Sequence, residues 1–88
     1  MAGETGQGGD ARPDDARIRD EVLLVALQRG RGKTFCPSEV ARALSPDWRA
    51  LMPDVRRVAA GMDEVCALQQ GAPVDPVTAR GPIRLRLR

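Results

Sequence analysis

The closing run Ile83-Arg84-Leu85-Arg86-Leu87-Arg88 alternates apolar residues and arginines with strict period two. A period of two puts every second side chain on the same face, so this run is a half-buried antiparallel strand with a fully cationic outer face. Two upstream segments also read as strands. Val65-Cys66-Ala67-Leu68-Gln69-Gln70 reads as a strand stopped by Gly71-Ala72-Pro73, and Thr34-Phe35-Cys36 reads as a very short one. Between the two longer strands, Asp75-Pro76 can cap a single helical turn, and Gly81-Pro82 sets up the last strand.

The rest of the pattern is helical. Arg12-Pro13-Asp14-Asp15 opens the first helix, with proline in the first turn and acids at the positive end of the helix dipole. Ile18, Val22 and Val25 recur at i, i+4 and i+7, and Leu23, Leu24 and Leu27 widen the apolar stripe enough to mark a central helix. Gly30 ends it. The second helix starts at Cys36-Pro37-Ser38-Glu39, with Pro37 at the first position and Glu39 reaching back to the cap. Val40, Ala41 and Leu44 form its inner face. Ser45-Pro46-Asp47 starts a further helix with Ser45 as cap, but Pro53 interrupts the spacing of Trp48, Leu51, Val55, Val58 and Met62. Proline removes a backbone bond and clashes with the preceding turn. The expectation is a short turn over 46–51 kinked into a third helix over 53–63.

The order α1-β1-α2-α3-β2-β3, three helices with a small antiparallel hairpin, is that of an α+β winged helix-turn-helix. In that class the third helix enters the DNA major groove and the hairpin, the wing, lies along the adjacent backbone. Residues 13–88 are taken as this domain, and 1–12, with four glycines and little apolar bulk, as a disordered leader.

The run Cys36-Pro37-Ser38-Glu39-Val40-Ala41-Arg42, followed by Trp48-Arg49, Leu51-Met52-Pro53, Val74-Asp75-Pro76 and Thr78-Ala79-Arg80-Gly81-Pro82-Ile83-Arg84, resembles a family of small bacterial proteins of unknown function with a winged-helix fold. The resemblance covers roughly residues 16–88. It implies the fold and an expectation of DNA binding. The chain departs from the family pattern at Ala60-Gly61-Met62-Asp63-Glu64, which is shorter, so the end of the third helix and the wing register are where a difference is expected.

Composition narrows the chemistry. The 88 residues include no histidine and no tyrosine, which excludes histidine acid–base catalysis, the usual serine triad and histidine-ligated zinc. Cys36 and Cys66 alone cannot fill a tetrahedral zinc site. Phe35 and Trp48 are the only aromatics, too few for a base-stacking platform. The triplet Gly32-Lys33-Thr34 follows a helix rather than a strand and lacks the glycine frame of a phosphate loop. The chain therefore reads as a binding module, not an enzyme, with no cofactor and no small-molecule substrate. No stretch approaches the roughly 20 apolar residues of a membrane span, and no signal pattern opens the chain, so the expected location is cytoplasmic.

The net charge of +2 conceals an asymmetry. Residues 1–28 hold three basic and six acidic groups, a balance of −3, whereas 29–88 carry +5. Thirteen of the fourteen cations are arginine, whose forked guanidinium suits phosphates and carboxylates. The candidate partner is double-stranded DNA. Arg49, Arg56 and Arg57 would face the groove from the third helix, Arg80, Arg84, Arg86 and Arg88 would meet phosphates from on or beside the wing, and Lys33 and Arg31 would touch the backbone ahead of the second helix. Against this, Asp54 lies at i+3 spacing from Arg57 and can neutralise it. The alternative function is a protein–protein interaction module on the same scaffold, with the arginine strand as a charged, aggregation-resistant edge. A weak homodimer through the first helix is a further option. Cys36, at a helix N-terminus, is a candidate redox thiol, the competing reading being a small buried hydrophobe beneath Trp48.

Overall fold

The computed structural model describes residues 12–88. It is an α+β fold of three helices and a small antiparallel sheet, winged-helix-like in its element order: α1 (Asp15–Arg29), β1 (Thr34–Phe35), α2 (Pro37–Leu44), α3 (Trp48–Ala60), β2 (Val65–Gln69), β3 (Ala72–Pro73) and β4 (Arg84–Leu87). The leader expected over 1–12 lies outside the described residues except for Arg12. That residue is tied down: Nη1 meets Asp54 Oδ2 at 3.1 Å and Nη2 donates to the Ala50 carbonyl at 3.2 Å. No helix among the described residues is long and apolar enough to cross a membrane.

Local chemistry sets the helix ends. Asp14 caps α1 by accepting the Arg17 amide at 2.9 Å, and Gly30, at φ 91°, takes the chain out of the helix in a conformation that side chains disfavour. Glu39 returns to the Cys36 amide at 3.3 Å, as the sequence pattern indicates. The same carboxylate pairs with Arg29, joining the end of α1 to the start of α2.

The third helix corrects the sequence expectation. It is one continuous helix from Trp48 to Ala60, with Pro53 inside it, rather than a turn kinked into a second segment. Ser45 does not cap it. Its hydroxyl instead accepts the Asp47 amide at 3.0 Å, and helix geometry begins one residue later. Pro53 is tolerated because it is exposed, and the carbonyl it leaves unpaired belongs to Arg49, also exposed. The helix stops at Ala60, short of the expected 63. Short-range bonds from Gly61 to Val58 and from Met62 to Ala59 tighten the last turn and release the chain into β2.

The sheet order is β1-β4-β2-β3, all antiparallel. The last strand pairs with both earlier ones: Phe35 faces Leu85, and Leu85 faces Ala67. The simple hairpin is not. Gln70 and Gly71 both adopt positive φ, 52° and 84°, and turn the chain back so that Ala72–Pro73 forms an additional edge strand on β2. Proline is compatible with that edge position. The chain then makes one helical turn, Ala79 N–H to Asp75 O at 2.9 Å, before returning to β4 on the other side of β2.

One core joins these parts. Ile18 and Val22 from α1, Phe35, Val40, Val55, Val65 and Leu85 are all at most 2% exposed, and no polar or charged side chain is buried with them among the described residues. Because partners across a ladder share a face, Phe35, Leu85, Ala67 and Val65 line the inner side of the sheet. Arg84 and Arg86, with Thr34 and Cys66, therefore stand on the outer side.

Candidate nucleic-acid interface

The predicted cations divide into two groups with different surroundings. On α3, two of the three are engaged within the molecule. Arg56 reaches across to the connection between β3 and β4, donating to the carbonyls of Ala79 at 2.9 Å, Gly81 at 2.6 Å and Pro76 at 3.5 Å. It acts as a clamp on the wing. Arg57 points the other way, toward α1, where both of its terminal nitrogens meet the Asp15 carboxylate at 2.8 Å. Asp54, the partner expected from i,i+3 spacing, is also present at 3.4 Å. The forked donation from Arg57 holds the Asp15 carboxyl below its ordinary value near 3.8, and the carboxylate raises the guanidinium in return. Neither arginine stands free of partners on the helix: Arg56 bonds the connection between β3 and β4, and Arg57 joins α3 to α1.

Arg49 is different. Its guanidinium lies over the Trp48 ring, 4.4 Å from the centroid, and Arg42 of α2 lies 4.2 Å from the same ring. Both cations lie over the tryptophan at the turn between α2 and α3, a cation–π arrangement that orients both guanidiniums without neutralising either. Arg42 was not among the candidates from sequence. Its approach to Trp48 crosses the turn between two helices, so no helical spacing signals it.

On the sheet the cations keep their charge. Arg84, Arg86 and Arg88 follow one another at about 6.7 Å along the outer side of the last strand. Arg84 is oriented by Thr34, donating to its hydroxyl at 3.1 Å and its carbonyl at 3.2 Å, neither of which is an acid. Lys33 precedes the residue that pairs with Arg86 and so lies beside the end of this row. Arg80 sits in the connection leading to β4, where its carbonyl accepts from Gln69 Nε2 at 2.6 Å. The side chains of Lys33, Arg80, Arg86 and Arg88 form no ion pair or hydrogen bond with another described residue, whereas Arg12, Arg19, Arg29 and Arg57 all have carboxylate partners. The Glu64 carbonyl takes the Arg88 amide, while its carboxylate binds Arg19 at 2.6 Å.

Both thiols are free and half-buried. Cys36 Sγ accepts the Ser38 hydroxyl at 3.0 Å. Among the described residues no three side chains of metal-ligating type come together. Beside the α3 face, Arg49, Met52, Pro53, Arg56 and Val77 line a shallow, largely apolar hollow between helix and wing.

A family model described as protein of unknown function (DUF3253) matches residues 15–88, which is nearly all of the chain, and the chain belongs to that family. No curated protein matches it.

Proposed function

We propose that this member of the DUF3253 family is a binding module that holds double-stranded DNA by its phosphates rather than by reading base edges. The observation that carries this reading is the row of un-neutralised cations on the outer side of the sheet, Arg84, Arg86 and Arg88 with Lys33 beside it, and Arg80 in the wing connection. Guanidiniums that have no carboxylate partner retain their full field and can each release a counterion from a phosphate. The α3 face supports phosphate contact over base readout for the complementary reason. Besides Arg49 and Arg57, its exposed positions are Ala50, Pro53 and Ala60, which carry no side-chain donor, and Arg56 and Arg57 are committed elsewhere. Arg49 and Arg42, fixed on Trp48, are the helix-side cations left for a backbone contact.

The test is binding of the purified chain to mixed-sequence duplex DNA across a salt series. Changing Lys33, Arg86 and Arg88 together to alanine removes three phosphate contacts and is expected to lower the log–log salt slope by about 2.7. Arg57→Ala leaves that slope unchanged. Affinity is expected to vary little between duplex sequences. Absence of binding at low salt rejects the proposal.

A second reading, a protein-interaction module without DNA, is favoured by one observation. The hollow beside α3 exposes Met52, Pro53 and Val77, the last 56% accessible, and suits an apolar side chain of a protein partner. Failure of DNA binding together with loss of a partner on Val77→Asp would support it.

A further inference from the structure

Two of the described cations, Arg56 and Arg86, are half-buried, and the others are exposed. Arg56 is satisfied by three backbone carbonyls. Arg86 forms no hydrogen bond or ion pair through its side chain with another described residue. A guanidinium carries five donors, and withdrawing them part-way from water without an acceptor is costly.

The surroundings of Arg86 show where an acceptor fits. β3 pairs with β2 only at Leu68 and Gln69. The Val74 amide makes one more bond, to the Ala67 carbonyl at 3.0 Å, and the chain then turns away at Asp75. This early departure leaves a hollow of about 650 Å³ bounded by β2, the segment 73–77 and the end of α3. Buried Met62 and Val65, with half-buried Val74, give it apolar walls, and Arg86 and Arg88 line it from β4. Cys66, directly across the ladder from Arg86, lines it as well. Asp75, the acid in the lining, accepts the Val77 amide at 2.8 Å and is thereby held in the turn.

We infer that this hollow is a ligand site for an organic oxyanion, a carboxylate or phosphate on an apolar body, with Arg86 holding the charged head. The volume falls within the roughly 300–1,000 Å³ of small-molecule sites. A forked guanidinium matches two oxygens of either head, and the apolar walls favour a body that a bare inorganic ion lacks. The site does not rest on the DNA reading. Arg86 also stands in the row proposed to meet phosphates, so an occupied hollow and a bound duplex compete for one guanidinium.

Isothermal titration of the full chain with naphthoate, naphthyl phosphate, naphthol and acetate, up to about 5 mM, tests it. Saturable binding of one anion per chain is expected, and the tighter of naphthoate and naphthyl phosphate names the head group. Naphthol lacks the charge and acetate the body, so each should bind about tenfold more weakly or worse. Arg86→Gln should lower the affinity by about tenfold at an unchanged melting temperature. Arg17→Gln, which removes an exposed charge from α1, should leave the affinity unaltered and so separates a site from general cationic attraction. In the wild-type chain, saturating ligand should slow iodoacetamide alkylation of Cys66 by about fivefold or more and leave the rate at Cys36, outside the lining, unchanged. No binding of either naphthyl anion overturns the inference. So does naphthol binding as tightly as the anions, an Arg86→Gln chain that binds like wild type, or a Cys66 rate that ligand does not alter.

Discussion

Arginines on α3 and arginines on the last strand share a residue type and a chain, and they have opposite fates. On the helix, Arg56 is spent on three backbone carbonyls and Arg57 on a carboxylate of α1. On the strand, Arg86 and Arg88 have no such partner among the described residues, and Arg84 has only the neutral Thr34. A count of cations therefore misplaces the electrostatic surface. What matters is the count after subtracting those already bound inside the molecule. That subtraction moves the candidate interface from the helix toward the sheet and wing.

The contrast breaks most easily at Arg56. Replacing it by alanine strands three carbonyls and is expected to destabilise the domain by about 2 kcal/mol, read as a lower urea midpoint. Arg56→Lys should recover only part of this, because an ammonium lacks the flat fork that spans separated acceptors. Arg84→Ala should cost less, about 1 kcal/mol, since Arg84 is exposed and its two bonds go to a single neutral residue, Thr34. The effect of Arg57→Ala should be smaller again and should depend on pH. Asp15 titrates lower in the folded chain than in the unfolded one, so the pair stabilises the fold above the ordinary carboxyl value near 3.8. That contribution is lost as pH falls through the lower folded value. The melting temperatures of wild type and Arg57→Ala should therefore differ at pH 7 and converge as pH falls well below 3.8. At the far end, Arg86→Ala should leave stability unchanged while weakening DNA binding. If Arg86→Ala destabilised the fold as much as Arg56→Ala, the distinction between the two regions would collapse.

Much of the architecture is legible in the sequence because it rests on periodicity. The strict alternation after Ile83 identifies β4, and the stripe from Ile18 to Val25 identifies α1. The additional strand β3 is not legible. Two residues, one of them proline, carry no alternation, and their pairing follows from the positive φ at Gln70 as much as at Gly71. The continuity of α3 through Pro53 is hidden for another reason. Its cost depends on whether the freed carbonyl faces water, and spacing alone does not reveal that. The candidate site is legible as a set of charges but not as a set of partners. The local pair Asp54–Arg57 can be read from the helix repeat, whereas Asp15–Arg57 joins residues 42 apart and requires the packed fold. Arg42 on Trp48 is of the same kind.

The clamp formed by Arg56 has one more consequence. It grips carbonyl oxygens, and every amino acid supplies the same carbonyl. The connection over 76–81 is held by its path, not by its letters. Substitutions at exposed Val77, Thr78 and Arg80 leave the grip intact, provided that Gly81 keeps its φ of 84° and the turn at Asp75 survives. In this stretch side chains can change while the connection stays in place, without refolding the domain.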